Sequence, residues 1–156
     1  MNTSNYLAKY NDLMKENENI YRDLAKNFQL SECRLWILYV LRTEAKALSQ
    51  SDICACLYQP KQSINSALKK LESEGYIILS PGNDRRSKQI MLTPAGIHLC
   101  EKTVDQIIET ECNALSDLSD EGVELFLSLF HKYTELLKKH MQKIYPDGEY
   151  NENTII

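Results

Sequence analysis

One interruption in an otherwise helical pattern constrains this chain more than any other feature. Two short segments, YIILS at 76–80 and QIMLT at 89–93, are rich in strand-favouring residues and flank the stretch PGNDRRSK. Almost everywhere else the apolar residues recur three or four positions apart, which is the helical period. A 3.6-residue repeat that gives way once to a period of two implies helices built around a single β-hairpin. Pro81 and Gly82 are turn formers, so the hairpin has a charged tip. The fold class is therefore mainly α.

The flanking helices can be placed one by one. Tyr6, Leu7, Tyr10, Leu13, Met14, Ile20, Tyr21 and Leu24 predict an amphipathic helix over residues 5–27, its stripe fading around Lys15–Asn19. Ser31 is suited to cap a second helix, ECRLWILYVLRTEA, which between Leu35 and Leu41 is apolar almost all round and so belongs at the centre. Ser49 and Asp52 form a capping box with a short acid, opening a brief third helix. Pro60 begins a fourth, KQSINSALKKLESE, striped by Ile64, Ala67, Leu68 and Leu71, and Gly75 ends it. After the hairpin, Thr93 and Pro94 start a helix predicted to continue to about Leu115. Ser119 caps the last one, with Val123, Phe126, Leu127, Phe130, Tyr133, Leu137, Met141 and Ile144 along one side. The tail PDGEYNENTII is polar and expected to fray.

Composition removes several function classes. The 156 residues contain no apolar run of membrane-spanning length, and the N-terminus lacks the basic start and apolar stretch of a secretory signal, so a cytoplasmic location is expected. Five cysteines, an odd number, stand without disulfide-framework spacing, and reduced small core residues are the expectation for them. Cys54 and Cys56 would lie about 200° apart on a helix, with Cys56 the more exposed. His98, His131 and His140 are scattered, so no metal site is predicted. There is no Gly-rich phosphate loop and no nucleophile motif, hence no enzyme activity and no cofactor are expected.

Helix, tight turn, helix and then a two-stranded wing is a DNA-reading geometry. The second helix of the pair enters the major groove and needs hydrogen-bonding side chains on its outer face. Opposite the apolar stripe of the fourth helix stand Lys61, Gln62, Asn65, Ser66 and Lys69, of which lysine suits guanine and asparagine or glutamine suits adenine. At the hairpin tip Arg85, Arg86 and Lys88 can approach phosphates or a narrow minor groove, and Asp84 can orient one arginine. Between Pro60 and Ile90 six basic residues face three acids, although the whole chain carries a net charge of −4. A local cationic face on an acidic body favours a directed contact over unspecific adhesion.

The segment QPKQSINSALKKLESEGYIILSPGNDRRSKQIMLTPAG resembles the recognition helix and wing of the MarR family of regulators. The Leu71-x-x-x-Gly75 spacing, the Asp84-Arg85-Arg86 wing and the Leu92-Thr93 exit into a helix carry the likeness, which extends in layout from about residue 5 to 145. The resemblance implies one domain over 1–156: a winged helix-turn-helix at about 31–93 with dimerisation helices at about 5–27 and 94–145. It further implies a homodimer on pseudo-palindromic double-stranded DNA, often released by a small aromatic or lipophilic ligand. It places Ser63, Asn65 and Ser66 toward the major groove, and Arg86 of the Asp-x-Arg wing in the minor groove. Independently of the family, the long stripe of the final helix asks for a partner surface. The function expected is a sequence-specific transcriptional regulator, acting as a repressor of nearby genes. A ligand cavity between the dimerisation helices and the DNA-binding lobe would draw on Tyr10, Trp36, Tyr39 and His98. Two alternatives stand beside this reading: a winged-helix module that binds protein, which would want an apolar or acidic recognition face, and a regulator switched by cysteine oxidation.

Overall fold

The computed structural model describes residues 3–44, 47–81 and 88–144. Among these the elements run α1 (Thr3–Asn27), α2 (Glu32–Thr43), β1 (Leu48–Ser49), α3 (Gln50–Leu57), α4 (Lys61–Ser73), β2 (Ile77–Pro81), β3 (Lys88–Leu92), α5 (Pro94–Lys102), α6 (Val104–Ser116) and α7 (Asp120–Met141). The chain forms two compact units, Met1–Val104 and Asp105–Ile156.

Helix α2 is the axis of the first unit, as its all-round apolar sequence requires. Its Leu35, Ile37 and Leu38 are fully buried, and α1, α3, α4 and α5 all pack against it. Ile53 of α3, Ile64 and Leu71 of α4, Leu48 of β1, Ile77 of β2 and Ile90 of β3 are buried with them. Each such side chain contributes about 1.5–3 kcal/mol on leaving water. This core fixes α4 by its apolar stripe and so decides which of its faces remains outside.

Local chemistry sets the helix boundaries. The Ser31 hydroxyl accepts from the Arg34 amide at 3.3 Å, the Ser49 hydroxyl accepts from the Asp52 amide while the Asp52 carboxylate accepts from the Ser49 amide, and Ser119 caps α7. Thr93 accepts from the Gly96 amide at 3.0 Å with Pro94 at the first helical position. These satisfy amides that have no partner within the helix. Helix α4 ends on Gly75, whose φ of +78° is open to glycine without steric cost.

Two features depart from the sequence expectation. Strand β1, only two residues long, pairs Leu48 with Ile90 and Ser49 with Gln89, giving a three-stranded antiparallel sheet in the order β1-β3-β2. A segment of that length has no readable period. The helix expected to run from Pro94 to about Leu115 breaks at Thr103, where φ is −133° and ψ is −79°. The Thr103 amide donates to Cys100 and its hydroxyl donates to the Leu99 carbonyl at 2.7 Å. A buried β-branched residue that bonds back to the preceding turn competes with the regular ladder.

The second unit contains α7, which has no buried residue. Phe126, Leu127, Phe130, Leu137 and Met141 all lie exposed along it, and Phe126 and Phe130 stack with ring centroids 6.1 Å apart. No helix among the described residues is long and apolar enough to cross a membrane.

Candidate nucleic-acid interface

Helix α4 buries Ile64, Ala67, Leu68 and Leu71, and this turns its other side to solvent. Lys61, Gln62, Ser63, Ser66 and Lys69 are exposed there, while Asn65 lies half-buried on the flank. The structure thus presents these six sequence-derived residues on one helix. Lys61, Gln62 and Asn65 line an open groove together with Gln50, the first residue of α3. Gln50 was not among the residues singled out from sequence, since only the packing of α3 against α4 brings it beside the recognition face. Its amide offers the same paired donor and acceptor as Gln62.

The carboxyl end of α4 is fastened in two ways. Glu74 pairs with the largely buried Arg34 of α2 and, at 3.2 Å, with Lys70. Past the helix, the Tyr76 amide donates to the Leu71 carbonyl at 2.9 Å. The wing's exit closes on the same point: the Thr93 amide donates to the Tyr76 carbonyl at 3.0 Å, and its hydroxyl donates to the Gly75 carbonyl at 2.6 Å. A β-carbon at Gly96 would overlap the Tyr76 carbonyl oxygen, so the start of α5 can approach only as glycine. Recognition helix, wing and α5 are therefore one mechanical assembly.

In the wing, β2 and β3 pair from Ile77↔Leu92 out to Pro81↔Lys88, and Lys88 is exposed at the end of that ladder. Asp84, Arg85 and Arg86 lie outside the described residues.

Of the side chains expected around a ligand, Trp36 and Tyr39 come together, ring centroids 5.5 Å apart, and Tyr21 of α1 joins them 4.9 Å from Trp36. Tyr10 lies half-buried on α1, eleven residues before Tyr21 and roughly 16 Å along the axis. His98 is exposed on α5 and faces Glu101 at 3.1 Å. A cavity of about 220 Å³ lies elsewhere, where Leu41, Met91, Leu92 and Ile97 form walls with Arg42 and Glu44.

The cysteines differ from expectation. Only Cys100 is buried; Cys33 and Cys54 are intermediate, and Cys56 and Cys112 are exposed. Burial pushes the Cys33 thiol above its ordinary range, and nearby Cys54 adds to this, which disfavours the thiolate.

Comparison with known proteins finds one family profile and several regulators. Residues 29–87 match the profile of the MarR family. The chain is 34% identical over 97 residues to the HTH-type transcriptional regulator PecS of Dickeya dadantii, covering 60% of this chain and 58% of that protein. It is 25% identical over 132 residues to the homoprotocatechuate degradative operon repressor of Escherichia coli, covering 83% and 87% of the two chains. Its fold superposes on S. aureus MepR in a DNA complex with a TM-score of 0.67 and 25% identity, over 85% of this chain and 97% of that one.

Proposed function

We propose that the chain is a winged helix-turn-helix regulator of the MarR family and that it acts as a homodimer placing α4 of each protomer in the major groove of an operator. It is a DNA-binding transcriptional regulator. In this reading Lys61, Gln62, Ser63, Asn65, Ser66 and Lys69 meet base edges and the groove's lips. Asp84, Arg85, Arg86 and Lys88 bring the wing to the flanking backbone and minor groove. The observation that carries the reading is the polar, basic outer face of α4, joined through Gly75, Tyr76 and Thr93 to the root of the wing. A protein-docking helix would instead offer an apolar or acidic face.

Dimerisation is supported by α7. A stripe holding two stacked phenylalanines and several leucines, none of them buried within the chain, is a surface that a second copy covers. Two-fold symmetry then sets two half-sites about one helical turn apart.

Repression, and release by a small aromatic or lipophilic ligand, belong to the same proposal. So do a cytoplasmic location and the absence of any catalytic role or cofactor. Tyr10, Trp36, Tyr39 and His98 remain the proposed ligand-facing residues. Such a ligand must bind better to the conformation whose recognition helices are wrongly spaced, since equal affinity for both states shifts nothing.

Two substitutions separate reading from anchoring. Asn65→Ala is expected to cost about 1–3 kcal/mol on the selected site and to relax base preference there. Arg86→Ala is expected to weaken binding to every sequence and to lower the salt slope by about one unit. Fluorescence anisotropy titrations across salt concentrations, on selected and scrambled duplexes, measure both. Equal losses for Asn65→Ala on the two duplexes would remove it from base reading, and an unchanged slope for Arg86→Ala would remove the wing from the backbone.

A further inference from the structure

The turn between α3 and α4 holds a residue whose exposure the fold does not account for. Tyr58 closes α3 with φ 49° and ψ 33°, its amide donating to the Cys54 carbonyl. In this left-handed region a β-carbon crowds the following carbonyl, so glycine is the usual occupant, as Gly75 is at the end of α4. Tyrosine instead holds the position, and the residue is 85% exposed, the most exposed large hydrophobic residue among those described. A strained link that presents a large amphipathic ring to solvent points to a partner outside the fold. Lys61 and Gln62, three and four residues further on, open the helix that lines the groove with Gln50 and Asn65.

We propose that Tyr58 is a positioning residue of the DNA complex: its hydroxyl donates to a phosphate oxygen at the lip of the major groove and its ring lies against the adjoining deoxyribose. The inference rests on α4 being the groove-reading helix. A helix entering the groove by its first turn sets the preceding loop over the sugar–phosphate backbone, and tyrosine hydroxyls are among the groups that bond there. Such a contact fixes register without reading sequence. Because the phenol is neutral it displaces no counterion, unlike a lysine or arginine contact.

The test uses the full chain, a fluorescently labelled random-sequence duplex, and the variants Tyr58→Gly, Tyr58→Phe and Lys61→Ala. Tyr58→Gly is expected to weaken binding about tenfold and Tyr58→Phe about threefold. Both should keep the wild-type dependence on salt, whereas Lys61→Ala flattens it. The thermal midpoint of Tyr58→Gly is expected to equal or exceed that of the wild type, since glycine relieves the left-handed strain. Nitration by tetranitromethane, mapped by mass spectrometry, should reach Tyr58 in the free protein and be blocked in the complex. Wild-type affinity for Tyr58→Gly, a changed salt dependence, or equal nitration with and without DNA overturns the assignment. Loss of binding in Lys61→Ala alone overturns Tyr58 only; wild-type binding by Lys61→Ala and Tyr58→Gly together overturns the placement of α4 as well.

Discussion

Phe130→Asp is expected to turn a dimer of about twice 18.0 kDa into a monomer and to lower operator affinity by about two orders of magnitude or more. Phe130 stands in the middle of α7, half-exposed, stacked on Phe126, with Tyr133 one helical turn further on and Leu137 two turns further on. A carboxylate there must be desolvated when the second copy docks, and two-fold symmetry imposes that cost twice. Since α7 contributes no buried residue of its own, the substitution leaves the core around α2 untouched. Loss of affinity then follows from geometry: a monomer engages one half-site and forfeits the effective concentration that makes the second contact intramolecular. Light scattering and a duplex titration check the two parts. A variant that stays dimeric and binds normally would place the subunit contact elsewhere.

Gly96→Ala carries the second large effect, this time on the fold. The added methyl would meet the Tyr76 carbonyl oxygen, which already accepts the Thr93 amide at 3.0 Å. That carbonyl belongs to the junction joining the end of α4 to the wing, so neither backbone segment can yield without breaking a hydrogen bond. A destabilisation on the order of 3 kcal/mol is expected, lowering the thermal midpoint by about 10 °C. Circular dichroism melting measures this, and a shift of a degree or less would mean that α5 approaches the strand less rigidly than its geometry indicates. DNA binding by the folded fraction should also fall, because the same junction sets the angle between α4 and the wing.

The helices were legible wherever their boundaries are chemically local. Ser31, Ser49 with Asp52, Thr93 with Pro94, Ser119 and Gly75 each act within a few residues, so their role is written in the sequence around them. The outer face of α4 was legible for the same reason, being what remains once Ile64, Ala67, Leu68 and Leu71 are turned inward. Features that depend on residues distant in the chain were not. Strand β1 exists only because Leu48 finds Ile90, and Gln50 joins the groove only because α3 packs on α4. The break at Thr103 reflects its burial, since the same residue at an exposed position passes for ordinary helix. The cysteines show the limit of composition: residue type suggested burial, yet only Cys100 found a core position. Tyr58 shows a different limit, for nothing in the letters around it announces a left-handed turn.

Two copies of α4, held by one symmetric subunit contact, are expected to read duplex DNA together. Selection of this chain against a random-sequence duplex library, followed by sequencing of the retained molecules, measures this. Enrichment of an inverted repeat whose half-sites are spaced about 10 base pairs centre to centre is expected, and the Phe130→Asp variant should lose it. Recovery of unenriched sequence, or of a motif without two-fold symmetry, would contradict it.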